Sequence, residues 1–159
     1  DQPSGATWNF PFGKNGSLQV KMRLERGFGG LYLGLSEYFL PPSTNQGGNF
    51  RLMIGSDLKI KIFRVNDASY LEEGSDIGEI KAKMEEGRIH NLLLDWNCET
   101  NIAKVHIDGQ YASTLVGQEV ARGISYLRLV SAASDMNPKG LWVRRRGSSN
   151  STSRRMARE

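Results

Sequence analysis

At 159 residues the chain is long enough for one domain burying about 70% of the surface its unfolded form exposes, so neither disulfides nor a metal is required to hold it together. Hydrophobic residues make up 38% and glycine supplies 18 positions, a balance suited to short strands and tight turns rather than long helices, and no run of about 18 apolar residues offers a membrane span. The formal charge of +4 belongs to the end of the chain: residues 144–159 carry six arginines and one glutamate, a net of +5, which leaves the preceding body at −1, and a basic tail alone is no evidence for specific nucleic-acid reading.

The opening residues 1–16 mix Pro3, Pro11 and glycines with Trp8, Phe10 and Phe12, aromatics placed to close one edge of a core. Ser17 to Leu24 then alternates, with Leu18, Val20, Met22 and Leu24 on one face and Gln19, Lys21 and Arg23 on the other, the signature of a half-buried strand. After a turn at Arg26-Gly27, Leu31, Leu33 and Leu35 define a second strand in which Gly34 marks a close approach. Pro41-Pro42 stops it, and residues 41–48 form a loop.

Phe50, Leu52 and Ile54 mark a third strand, and the Gly55-Ser56-Asp57 turn leads into a strand over Leu58 to Val65. Asn66 to Gly78 is polar and reads as a loop, followed by alternation at Ile80, Ala82 and Met84. His90, Leu92, Leu94 and Trp96 share a face opposite Asn91, Leu93 and Asp95, and Ile102 to Ile107 returns antiparallel across the polar turn Asn97 to Asn101. Asp108-Gly109 suits a primed turn into a strand from Tyr111 to Leu115. Gly123 to Ser131 and Gly140 to Val143 complete about ten strands with no convincing helix, which predicts an all-β, two-sheet antiparallel sandwich; periodicity alone leaves a closed barrel open.

The segment Gly87, Arg88, His90, Leu92, Leu94, Asp95 and Trp96, followed by Val105 to Gly109, resembles the laminin G-like and concanavalin A-like jelly-roll superfamily, with Ile89 standing where a tryptophan is usual before the histidine and Ile107 where a valine is usual. Gly123 to Ala133 is similar to the closing strand of accessory domains beside bacterial sialidase-like and other glycan-active enzymes. The resemblance covers residues 5–143. It implies a jelly-roll sandwich and a lectin-like, carbohydrate-binding or enzyme-associated role outside the cell or at its envelope, since the superfamily holds lectins, adhesion modules, accessory modules and enzymes.

Catalysis finds little support. Glycoside hydrolysis needs two carboxylates about 5 to 9 Å apart, and the acidic residues Glu72, Glu73, Asp76, Glu79, Glu85 and Glu86 fall in loops or on strand rims. Polysaccharide lyase motifs are met only by Arg88-Ile89-His90 and loosely by Arg23 to Arg26. His90 is expected to fill the apolar face and donate a hydrogen bond across the sheets, His106 to be an exposed strand residue, and Cys98 to be a partly exposed turn thiol.

Sugar binding is easier to accommodate, because aromatic rings stack on pyranose faces while amides and carboxylates select hydroxyl orientation. Trp8, Tyr38, Tyr70 and Tyr111, with Asn45, Gln46 and Asp67 as polar companions, are the candidate carbohydrate-binding residues; Phe39 and Asn49 lie nearby. No cofactor is required. Calcium at a rim, as in laminin G-like modules, would draw on Asp57, Asp67, Asp76 and Asp135, whose spacing forms no dedicated loop. The sandwich is expected to span 1–143, with 144–159 a basic tail or linker that begins as a charged edge extending the last strand. The alternatives are a protein-interaction module, or a jelly-roll glycoside hydrolase or lyase.

Overall fold

The structure, a computed structural model, describes residues 5–40, 48–62, 78–132 and 141–150, with backbone alone at 78–81, 83 and 141–150. Among the described residues the chain forms eleven strands and no helix: β1 (Gly5–Gly13), β2 (Asn15–Leu24), β3 (Leu31–Ser36), β4 (Phe50–Ile54), β5 (Lys59–Ile62), β6 (Gly78–Lys83), β7 (Ile89–Asn97), β8 (Ile102–Ile107), β9 (Gln110–Val116), β10 (Ile124–Ser131) and β11 (Leu141–Asn150). They pair antiparallel into a six-stranded sheet, β1-β10-β3-β4-β5-β6, and a five-stranded sheet, β11-β2-β7-β8-β9. Two open sheets packed face to face are the sandwich that the alternation predicts, with no closed barrel.

The alternating apolar faces meet between the sheets. Leu31, Leu33 and Leu35 oppose Ile54, Leu52 and Phe50 in register, and Leu18, Val20 and Met22 oppose Leu94, Leu92 and His90. All of these side chains are buried, and Trp96, at 1% exposure, closes the layer with its ring centroid 5.7 Å from that of Phe10 and its indole N–H donated to the Gly13 carbonyl at 3.0 Å. The hydrogen bond satisfies the one polar atom that burying a tryptophan would otherwise strand.

The first strand was not legible as one. β1 carries Pro11 and lies at the edge of its sheet, where a missing N–H costs no ladder bond, and its register slips between Asn9 and Gly13. Proline and a bulge erase the period-two signal that a strand shows in sequence.

At the other end, β11 does not stop at Val143. It continues through Arg144, Arg145 and Arg146, the expected charged edge, to Asn150, which pairs with Gly16 of β2. Gly34 pairs with both Arg128 of β10 and Arg51 of β4, on the face of the six-stranded sheet turned away from the core. Asp108 (φ 51°) and Gly109 (φ 81°) form the left-handed pair of a primed hairpin turn, as their sequence predicts. No helix among the described residues is long and apolar enough to cross a membrane.

Two expectations about polar core residues need correction. His90 is buried, but the bond it donates does not cross to the other sheet: Nδ1 lies 2.7 Å from Asp108 Oδ2 in the β8–β9 turn of its own sheet, while the backbone N–H of Glu85, in the link that joins β6 to β7, donates to Nε2 at 2.9 Å. An accepting Nε2 places the proton on Nδ1, from which it is donated to Asp108. Cys98 is buried rather than partly exposed, because its backbone N–H is tied to the Lys14 carbonyl at 2.9 Å, which draws the turn inward; burial, then the charge of Glu37, push its thiol pKa up and away from reactivity.

Candidate functional site

The most elaborate polar constellation lies at one end of the sandwich, where the exit of β3, the entry of β4 and the link from β9 to β10 converge on a cleft of about 670 Å³. The first of these segments supplies Ser36, Glu37 and Tyr38. The second supplies Gly48, Asn49 and Arg51, and the third Glu119, Val120 and Arg122.

Local geometry explains how these segments are held. Gly48 has φ of 91°, and a Cβ there would sit 2.7 Å from the Leu35 carbonyl oxygen, so the chain can re-enter the sheet beside β3 only through glycine. Asn49 follows as a buried staple. Its backbone N–H bonds to Leu35, its side-chain oxygen accepts the Glu37 N–H at 3.1 Å, and its carbonyl accepts the Gln118 N–H at 2.8 Å. One amide residue thereby fixes three chain segments that are far apart in sequence.

Glu37 and Arg122 form the centre. Arg122 donates its backbone N–H to Glu37 Oε2 at 3.1 Å and its Nε to Oε1 at 2.7 Å, and one terminal nitrogen reaches the Tyr38 hydroxyl at 3.0 Å. The Glu37 side chain is 7% exposed and that of Arg122 is 77% exposed. Burial pushes the Glu37 carboxyl up, but the Arg122 backbone and side-chain bonds, its charge and the Tyr38 hydroxyl outweigh it and hold the group below the usual carboxylate range. Glu37 in turn raises the Arg122 pKa.

The result is a guanidinium clamped along its Nε side and open to solvent at its far end, where Nη1 makes no hydrogen bond among the described residues. Beside it stands the Tyr38 ring, and the Arg51 Nε is likewise anchored, on the Gly48 carbonyl at 3.0 Å. Tyr38 and Val120, which line the cleft, are 61% and 85% exposed, which places apolar surface beside its polar groups. Fixed donors beside an aromatic face suit a ligand that has hydroxyls on its edge and C–H groups on its faces.

The structure distributes the candidate sugar contacts unevenly. Tyr38 lines this cleft, whereas Tyr111 lines a smaller one formed by β6, β9 and the turns beside them. Trp8 is partly buried against the core, in register with Leu127, and is not among the residues lining either cleft. Asn45, Gln46, Asp67 and Tyr70 lie outside the described residues, as do Asp76 and Asp135 of the calcium set. Asp57 accepts the Lys59 N–H at 3.2 Å and lies 3.9 Å from the Lys61 ammonium; no group of three metal-ligating side chains occurs among the described residues.

Glu37, Arg122 and Arg51 escaped the sequence reading because nothing in local pattern links a glutamate with an arginine 85 positions later. The usable signal was Glu37 itself, a charged residue directly after an apolar strand whose last residues are all buried.

No protein-family model and no curated protein matches the chain. Among solved structures it is similar to a sialidase, with 11% identity and a TM-score of 0.67 over 95% of this chain and 14% of that one. It is also similar to a galectin of Caenorhabditis elegans, with 12% identity and a TM-score of 0.59 over 94% of this chain and 92% of that one. A carbohydrate-binding module from Bacillus subtilis gives 12% identity and a TM-score of 0.52, over 93% and 81% of the two chains. The chain thus spans a small part of the sialidase but nearly the whole of the galectin, and its two antiparallel sheets make a jelly-roll sandwich that matches these structures in fold.

Proposed function

We propose that the chain is a noncatalytic carbohydrate-binding module whose main contact is the cleft between Tyr38 and Arg122. The observation that carries this reading is the buried Glu37 carboxylate, which holds an exposed guanidinium beside an exposed ring. Burying a carboxylate costs free energy, and pairing it with a guanidinium that stands in solvent returns only part of that cost, so stability alone does not account for the arrangement. Fixing a donor in place for a ligand gives a better one.

The same chemistry argues against hydrolysis at this cleft. A general acid needs a raised pKa, and that of Glu37 is lowered. Both of its oxygens already accept bonds from Arg122, which leaves it poorly placed as a nucleophile, although Glu119 lines the same cleft. His106 and Tyr111 form an edge contact at 5.8 Å, with the tyrosine hydroxyl bound to Thr114 rather than aimed with the histidine at a common point. A lyase would require that convergence.

The likeness to a sialidase, a galectin and a carbohydrate-binding module supports the binding role by fold alone. The reading extends to a laminin G-like module secreted or held at the cell envelope, where it positions a neighbouring glycan-active domain. A glycan array with the purified chain, run with and without calcium, tests it. Saturable binding that falls about tenfold in Arg122→Ala and in Tyr38→Ala is expected, and no saturable binding under either condition overturns it.

A further inference from the structure

We infer that the module has a second saccharide subsite, built on Tyr111 at the opposite end of β9, which takes the apolar face of a neutral pyranose. This extends the glycan reading to a place that shares no residue with the Tyr38 cleft. A cavity of about 390 Å³ opens where the edge strands β6 and β9 approach each other, with Ala82, Ile107 and Ala112 as its small apolar lining and Tyr111, Gln110 and Arg88 as larger side chains around them. That volume lies at the small end of ligand pockets, which run from about 300 to 1,000 Å³.

The Tyr111 ring is 61% exposed but not loose. Its hydroxyl lies 2.7 Å from Thr114 Oγ1, and the His106 ring meets it edge-on at 5.8 Å and 72°. A strand irregularity sets this contact. The register shifts between Val105, opposite Ser113, and His106, opposite Tyr111, so one extra residue of β9 brings the tyrosine to the histidine. Such bulges re-aim side chains. A ring already held at two points loses little conformational freedom when a ligand stacks on it, which is the cost that limits weak sugar sites.

The charges nearby are answered within the protein. Arg88 pairs with Glu85 at 3.2 Å, and Asp108, which also lines the cavity, accepts from His90 and from the Asn91 N–H at 2.9 Å. Gln110 can donate and accept, as sugar hydroxyls require. An uncharged ligand fits that lining best. From Tyr111 to Val116, where the link toward the first cleft begins, β9 covers about 17 Å at about 3.4 Å per residue, so a single pyranose does not fill both places.

The test is an amide-resolved NMR titration of the whole chain with the methyl glycosides of glucose, galactose and N-acetylglucosamine and their linear oligosaccharides. Shifts at residues 110–112 are expected to persist in Tyr38→Ala, to vanish in Tyr111→Ala and to survive in Tyr111→Phe, which keeps the ring. Shifts confined to the Tyr38 cleft, shifts at 110–112 unaffected by Tyr111→Ala, or no shift at 110–112 with any probe overturn the second subsite. Response at 110–112 with a silent Tyr38 cleft supports it while removing the first site.

Discussion

Two hydrogen-bonded pairs in this molecule each join a buried member to a more exposed one, in opposite senses. At His90 and Asp108 the buried member is the imidazole, 3% exposed, and the 30% exposed carboxylate serves it by accepting its Nδ1–H hydrogen bond. At Glu37 and Arg122 the carboxylate is buried and the guanidinium stands in solvent. The first pair ties the β6–β7 and β8–β9 turns to the core through Glu85, Asp108 and Asn91. The second spends a buried charge on the orientation of a surface group. On the proposed reading, the direction of support separates a structural pair from a binding one, and substitutions can test that distinction.

The largest effect is expected in the structural region. Trp96→Ala removes a ring buried against Phe10 together with its bond to Gly13, and should cost about 3 to 5 kcal/mol in urea unfolding. A stability unchanged within error would take Trp96 out of the core. His90→Ala should follow at about 2 to 3 kcal/mol, since it strands the Glu85 N–H and removes a partner of Asp108.

Acid sharpens the comparison. For Asp108, burial pushes the carboxyl up, while the Asn91 N–H, His90 and Arg88 outweigh it and leave the folded pKa lowered. A lowered folded pKa gives stability that is present above the unfolded value of about 3.9 and lost as pH falls through the folded value. Unfolding followed from pH 6 to pH 2 should therefore show Asp108→Asn losing its deficit relative to the parent at the acid end. A constant difference across that range would mean that Asp108 acts through shape alone.

Smaller effects on stability, with larger ones on binding, are expected at the cleft. Glu37→Gln should cost about 1 to 2 kcal/mol by weakening the bonds to Arg122, and should lower glycan affinity with it. Tyr38→Ala, at an exposed position, should leave unfolding within about 0.5 kcal/mol of the parent while binding drops. If Glu37→Gln destabilised the protein and left binding untouched, the two pairs would have the same structural meaning.

The strands were readable where alternation was clean. The faces of Leu18 to Leu24, Leu31 to Leu35, Phe50 to Ile54 and His90 to Trp96 are the faces that pack, because period two is the geometry of the pleated backbone and burial rewards every second residue. Alternation says nothing about β1, with its proline and bulge, or about how far β11 continues through a run of arginines.

The candidate site was legible only in part. Tyr38 could be singled out as an aromatic just beyond a strand, and the structure places it in the first cleft. Tyr111, an equal candidate by sequence, lies instead at the other end of β9. Trp8, equally aromatic in sequence, belongs to the core margin.

By itself the sequence determined the sheet class, the buried faces and the Asp108-Gly109 turn, because each depends on neighbours within a few residues. Only the tertiary structure decided that Glu37 meets Arg122 across 85 positions, that Asn49 holds three segments together and that Tyr38 and Tyr111 line separate clefts. Those contacts arise from strand order and from a one-residue shift of register in β9, which no local pattern encodes.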